Sequence, residues 1–214
     1  MYKKLLCIAG LVVLSVAGCS AQTRKAKWEP VGLSGGGGLT NPSISPHDPN
    51  TMLTESDMGG RYISRDGGTT WSMIHRKQIT SQFRAAPPLF HPTQPGVIYA
   101  LQPGNVIHVS RDNGRTWTRL PAEQQPKIDM IRRMYIDPVT GRFLIGSAEG
   151  KVMFTDDEGK TWTTAQGLPE GSVIKFVAQA DSPKDARVYW VGTSAGVFKS
   201  ADGGKTFVRK SAGL

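Results

Sequence analysis

"SRDGGTTW" (residues 64–71) returns three times along the chain, as "SRDNGRTW" (110–117), "TDDEGKTW" (155–162) and "SADGGKTF" (200–207). In each, Ser or Thr stands first, Asp third, Gly fifth, Thr seventh and Trp or Phe last. The starts are spaced by 46, 45 and 45 residues, and a fixed interval of this size marks a propeller or a solenoid. Asp accepts backbone hydrogen bonds and Gly takes positive φ, so each unit reads as a tight turn. Flanking runs such as "RYIS" (61–64) and "TTWSMI" (69–74) read as the strands of a β-hairpin. The closing Trp or Phe supplies apolar area to bury against a neighbouring unit. Asp66, Asp112, Asp157 and Asp202 are therefore turn-makers first. A calcium loop needs several spaced carboxylates and a distal Glu, which these units lack, so no metal or cofactor is expected.

Outward from each unit, the period divides into four short strands. The second period offers "APPLF", "VIYAL", "VIHVS" and "TWTRL"; the third "IRRMYI", "RFLIG", "KVMFT" and "TWTTA"; the fourth "VIKFVAQ", "VYWVG", "GVFKS" and "TFVRK". Turn signals such as "HPTQP" and "DPVTG" separate them. Four-stranded units at this interval are propeller blades. The expected fold is all-β, a β-propeller with four visible Asp-containing blades across residues 22–214. "KWEPVGL" (27–33) reads as an outermost strand although the fourth blade already has "TFVRK", which points to an incomplete ring. Closure by four blades alone, or by two chains together, are the alternatives. An open ring exposes strand edges and favours a protein partner or self-association.

Residues 1–21 read as a signal and short N-terminal segment. Lys3 and Lys4 precede an apolar run of 13 residues, Leu5 to Ala17, too short to span a bilayer. The run ends in "VAGC" (16–19), which resembles the lipobox of bacterial lipoproteins and makes Cys19 the candidate lipidation site. Ordinary cleavage after "CSA" is the alternative. The protein is expected to be exported and lipid-anchored, on the periplasmic side of an outer membrane or at the cell surface. Loss of Lys3 and Lys4 leaves 24 basic against 17 acidic residues, a net charge of +7. These charges are scattered singly, without the clustering that a nucleic-acid surface needs. Cys7 leaves with the signal, so an acylated Cys19 leaves no thiol for a disulfide, a metal or nucleophilic catalysis.

The repeated unit resembles the Asp-box (BNR) hairpin of sialidases, sortilin-type receptors and several secreted glycosidases. The resemblance implies that the boxes are architectural and lie away from the ligand face. That face is expected to hold the turns between second and third strands and the connections between blades. Counting back seven residues from each box gives Asp57, Pro103, Ala148 and Thr193, of which Asp57 alone is a carboxylate. Asp57 is either a turn aspartate ahead of Gly59 and Gly60 or a chemical group.

Residues 28–71 resemble the opening of the family 74 xyloglucanases. The match rests on Trp28, Gly35 to Gly38, His47, Pro49, Asp57, Gly59, Gly60 and the first box. The resemblance implies that Asp57 is the general base of a carboxylate pair. Gly59, Gly60, Arg61 and Arg84 are candidate contacts for a polysaccharide on the same face. Inverting hydrolysis needs an acid as well as a base, and in that family the acid comes from a second propeller. The Asp57-Met58-Gly59-Gly60 segment is not repeated; Asp129, before the third blade, is a substitute that no motif supports. The expectation is an exported, glycosidase-like propeller that binds or hydrolyses β-glucan-type polysaccharide and is incomplete as an enzyme. One alternative is a membrane-anchored binding or assembly propeller, like the photosystem II assembly factors. A sialidase-like hydrolase is the other, and "FRAAP" (83–87) matches its arginine element only faintly. Gly35 to Gly38 read as a blade connection, because no Lys-Ser/Thr and helix follow. His47, His75, His91 and His108 are dispersed and are expected at the surface.

Overall fold

The computed structural model describes residues 38–57, 60–81 and 86–212. Cys19, Trp28, Gly35 to Gly37, Gly59 and Arg84 lie outside the described residues, as does the expected boundary at residue 21.

Each letter of the repeated unit has a bond to explain it. In the first box the Ser64 hydroxyl accepts from the Gly68 N–H at 2.8 Å and donates to Asp66 Oδ1 at 2.8 Å. Asp66 in turn accepts from the Thr70 N–H at 2.9 Å and the Thr70 hydroxyl at 2.5 Å. The same set joins Ser110, Asp112, Gly114 and Thr116, then Thr155, Asp157, Gly159 and Thr161. In the fourth box Ser200 holds Gly204 and Asp202 holds Thr206. These bonds from Thr70 and Ser64 hold the Asp66 carboxyl down at about 2. Burial pushes Asp112 up, but the bonds from Thr116 and Ser110 outweigh it and leave it at about 2. Thr155 and Thr161 likewise bring Asp157 to about 2. A carboxyl so held stays ionised and closes a turn; it is no proton donor.

The boxes organise four antiparallel sheets, each paired in chain order. Blade 1 is β1 (Leu39–Ile44), β2 (Met52–Ser56), β3 (Gly60–Ser64) and β4 (Ser72–Met73). Blade 2 is β5 (Leu89–Phe90), β6 (Ile98–Gln102), β7 (Val106–Ser110) and β8 (Thr118–Arg119). Blade 3 is β9 (Ile131–Ile136), β10 (Phe143–Ser147), β11 (Val152–Thr155) and β12 (Thr163–Thr164). Blade 4 is β13 (Ile174–Gln179), β14 (Tyr189–Thr193), β15 (Gly196–Ser200) and β16 (Val208–Arg209). "IRRMYI", "VIHVS" and "GVFKS" are strands end to end. The outer strands are shorter than their sequence runs because the box aromatic leaves the sheet. Trp117, Trp162 and Phe207 each join the apolar cluster shared with the preceding blade.

Consecutive blades share three apolar clusters. Leu53 and Ile63 meet Ile98, Ala100 and Trp117 between blades 1 and 2. Tyr99, Leu101 and Ile107 meet Phe143, Ile145 and Met153 between blades 2 and 3. Leu144, Val152 and Phe154 meet Ile174, Tyr189 and Phe198 between blades 3 and 4. Gly146 permits the last approach: a Cβ there would stand 2.6 Å from Ile174 Cγ2. Among the described residues these clusters link the four blades in series and none joins blade 4 to blade 1, as in an arc of an incomplete propeller. Two histidines expected at the surface are buried, His91 and His108. His91 uses Nδ1 to accept from the Thr93 and Gln94 N–H groups and so caps its own turn.

Candidate functional site

β3 has Asp57 before it and the first box after it, so Asp57 and Asp66 stand on opposite faces of the propeller. Asp57 is exposed. Its N–H donates to Gly38 O at 3.3 Å, and a Cβ on Gly38 would stand 3.9 Å from Asp57 Oδ2. The last glycine of the Gly35 to Gly38 run thus passes beside the carboxylate. Among the described residues nothing hydrogen-bonds that carboxylate, whereas Asp66 is bonded on both oxygens.

Gly60 opens β3 with φ +103, a conformation that a side chain disfavours, so its glycine is required by the backbone whatever it touches. Arg61 departs from its expectation as a saccharide contact. It is 0 % exposed, and its Nε pairs with Glu55 Oε1 while Nη2 donates to Leu101 O of blade 2 at 2.7 Å. Position 61 points into the interface with blade 2, because it alternates with Ile63 of the apolar cluster. Burial lowers the guanidinium from its ordinary value and Glu55 opposes that shift. Glu55 also accepts from Asn41 Nδ2 at 2.8 Å.

The corresponding turns of the other blades begin with Pro103, Ala148 and Ser194. Thr193, reached by counting back seven, is the last residue of β14 and pairs with Gly196. The fourth turn is shorter, so a fixed count falls one residue early. The same fixed count also missed Glu149, which follows Ala148 in the third turn and is exposed on the Asp57 face. Ala148 opens that turn as Asp57 opens the first, so Glu149 stands second in its turn, where no counterpart of Asp57 falls. Asp129 and Glu170 lie in connections on this face and are exposed as well. The connection from blade 1 to blade 2 folds back beside the Asp57 turn. Its Ser81 hydroxyl donates to Ser56 O at 3.2 Å, and Gln102 Nε2 of blade 2 donates to Gln78 O at 3.2 Å.

A family model for the BNR/Asp-box repeat matches residues 62–73, the first box with its flanking strands. Over 92 % of its length the chain is 24 % identical to a probable oligoxyloglucan-reducing end-specific xyloglucanase of Neosartorya fischeri. It superposes on an ancestral GH74 enzyme with TM-score 0.64 at 20 % identity, covering 87 % of this chain and 25 % of that one. The chain resembles a GH74 propeller. A structure of YCF48 bound to D1 peptide shares the fold, with TM-score 0.55 at 17 % identity over 79 % of this chain and 54 % of that one. The chain spans about a quarter of the length of its xyloglucanase relative, 27 %. At these identities the structural matches speak for the fold.

Proposed function

We propose that this chain presents a β-glucan-binding face on which Asp57 is the base of a glycoside hydrolase-like centre, the acid coming from outside the chain. One observation carries the reading: the exposed Asp57 carboxylate has no hydrogen-bond partner among the described residues, while the box aspartates are fully engaged on the opposite face. Such a carboxylate can accept a proton from water while a second group protonates the leaving oxygen. The similarity to xyloglucanases supplies the substrate class. Calorimetric titration with xyloglucan oligosaccharides tests it. Asp57→Asn should weaken binding about tenfold in a folded protein; unchanged affinity, with no Asp57-dependent hydrolysis, would sink the reading. If hydrolysis is seen, Glu149→Gln and Asp129→Asn ask whether this face holds its own acid.

A second reading, a non-catalytic assembly propeller, is favoured by the ends of the arc. Leu39, Ile44 and Met73 are exposed on the face of blade 1 turned away from blade 2. Phe176 and Val208 are exposed on the face of blade 4 turned away from blade 3. Either face suits a protein partner or a further blade. Export and a lipid anchor at Cys19 belong to the same proposal, and the intact mass of protein taken from native membranes reports the acyl groups.

A further inference from the structure

The Glu55–Arg61 pair sits where every other blade is uncharged. Blade 2 has Leu101 and Ile107 at the corresponding register positions, blade 3 has Gly146 and Val152, and blade 4 has Gly192 and Val197. In blades 2 and 3 these apolar versions line the interface with the next blade without charge. A buried ion pair stabilises little against apolar residues of similar size, because desolvation offsets the attraction. Here the pairing is also incomplete, since Arg61 Nη1 is buried with no hydrogen-bond partner. Stability therefore does not explain why blade 1 carries it.

Position does. Glu55 is two residues before Asp57 and Arg61 is four after it, so the pair closes the base of the turn that presents Asp57. From that base the bonds run in two directions. Glu55 reaches β1 through Asn41, and Arg61 reaches blade 2 through Leu101 O. β1 bulges between Thr40 and Ser43, and Asn41 lies there at φ +54 with its amide aimed at Glu55. A bulge re-aims a side chain beside a functional position, and Asn tolerates this backbone region better than other side chains.

We propose that Glu55 and Arg61 are positioning residues that fix the Asp57 turn relative to β1 and blade 2. Resting on the proposed role of Asp57, the assignment deepens it: the pair acts through the turn and touches no saccharide. Charge-assisted bonds suit the task because they are directional, whereas Leu101 and Ile107 pack without fixing an angle.

The experiment uses the full chain and the variant Glu55→Leu/Arg61→Ile, which installs the blade 2 residues. Three quantities are read: the denaturation midpoint, amide hydrogen exchange at Asp57, and affinity for a xyloglucan oligosaccharide. The expected result is an unchanged or raised midpoint, at least tenfold faster exchange at Asp57 and about tenfold weaker binding. Retained exchange protection and affinity would overturn the proposal and leave the pair as part of the interface. Glu55→Gln, which keeps size and removes charge, covers the case in which the double variant does not fold. It should show the same loss of protection to a smaller degree, and full protection there overturns the proposal equally. If Asp57→Asn leaves affinity intact while the double variant loses protection at Asp57, the saccharide reading fails and the positioning role stands.

Discussion

Among the described residues, two buried ion pairs lie at interfaces between neighbouring blades, and they are built to different standards. Between blades 3 and 4, Asp137 accepts from Arg187 Nε at 2.8 Å, Arg187 Nη2 at 3.1 Å and the Tyr189 hydroxyl at 2.6 Å. The Val139 and Thr140 N–H groups complete its set, and Arg187 Nη1 donates to Ser182 O. This cluster lies on the box face, around the turn between β9 and β10, and every guanidinium nitrogen of Arg187 donates a hydrogen bond. Between blades 1 and 2, Glu55 and Arg61 lie towards the Asp57 face and leave Nη1 unpartnered. Complete pairing marks architecture. Incomplete pairing beneath an exposed carboxylate marks a place where geometry counts for more than stability.

The largest effect should come from breaking the complete pair. Arg187→Leu strands the Asp137 carboxylate, which is 0 % exposed, and removing one partner of a buried pair costs ~3–5 kcal/mol. Chemical denaturation measures the loss, and a loss below ~1 kcal/mol would erase the distinction between the two pairs. Saccharide affinity of the folded fraction should not change, since Asp137 is on the opposite face from Asp57.

The boxes come next. Ser110 is 1 % exposed and its hydroxyl takes the buried Gly114 N–H, so Ser110→Ala leaves that donor unsatisfied at ~1–3 kcal/mol. This is the part of the molecule that was most legible in sequence. A box needs a hydroxyl, a carboxylate, a glycine and a threonine at fixed offsets, so its bonds are written in consecutive residues and repeat four times. The strands followed because their limits are set by those turns. The Asp57 turn was legible by exception, as a carboxylate where three other blades have none.

Arg61 was misread for a physical reason. Whether a residue beside a turn faces solvent or the next blade depends on strand parity. Parity is fixed by pairing across blades, which adjacency in the chain does not reveal. Glu55 was overlooked for the same reason, and its partner Asn41 is 14 residues away. The exposed Glu149 escapes a count back to the position of Asp57 because it stands second in its turn, after Ala148.

Acid should sharpen the contrast between the two faces. Asp66, Asp112 and Asp157 titrate at about 2 in the fold against an ordinary 3.8. A depressed folded value contributes stability above the ordinary value and loses it as pH falls towards the folded one. The denaturation midpoint should therefore hold near pH 5 and fall between about pH 4 and 2. An Asp112→Asn variant should start lower at neutral pH and lose less across that window. Equal acid sensitivity in the variant would mean that other carboxylates set the slope.

Asp57→Asn should have the smallest effect on stability, within ~0.5 kcal/mol, because the carboxylate is exposed and nothing among the described residues bonds it. The substitution keeps size and removes only charge, so whatever it changes belongs to chemistry or recognition. Set beside Ser110→Ala, it separates the architectural role of the boxes from the role proposed for Asp57. The box variant loses stability and keeps saccharide affinity in its folded fraction; the Asp57 variant keeps stability and loses affinity. If instead Asp57→Asn lowers the midpoint as far as Ser110→Ala does, Asp57 is a turn-maker like Asp66, and the exposed face has no claim to a catalytic carboxylate.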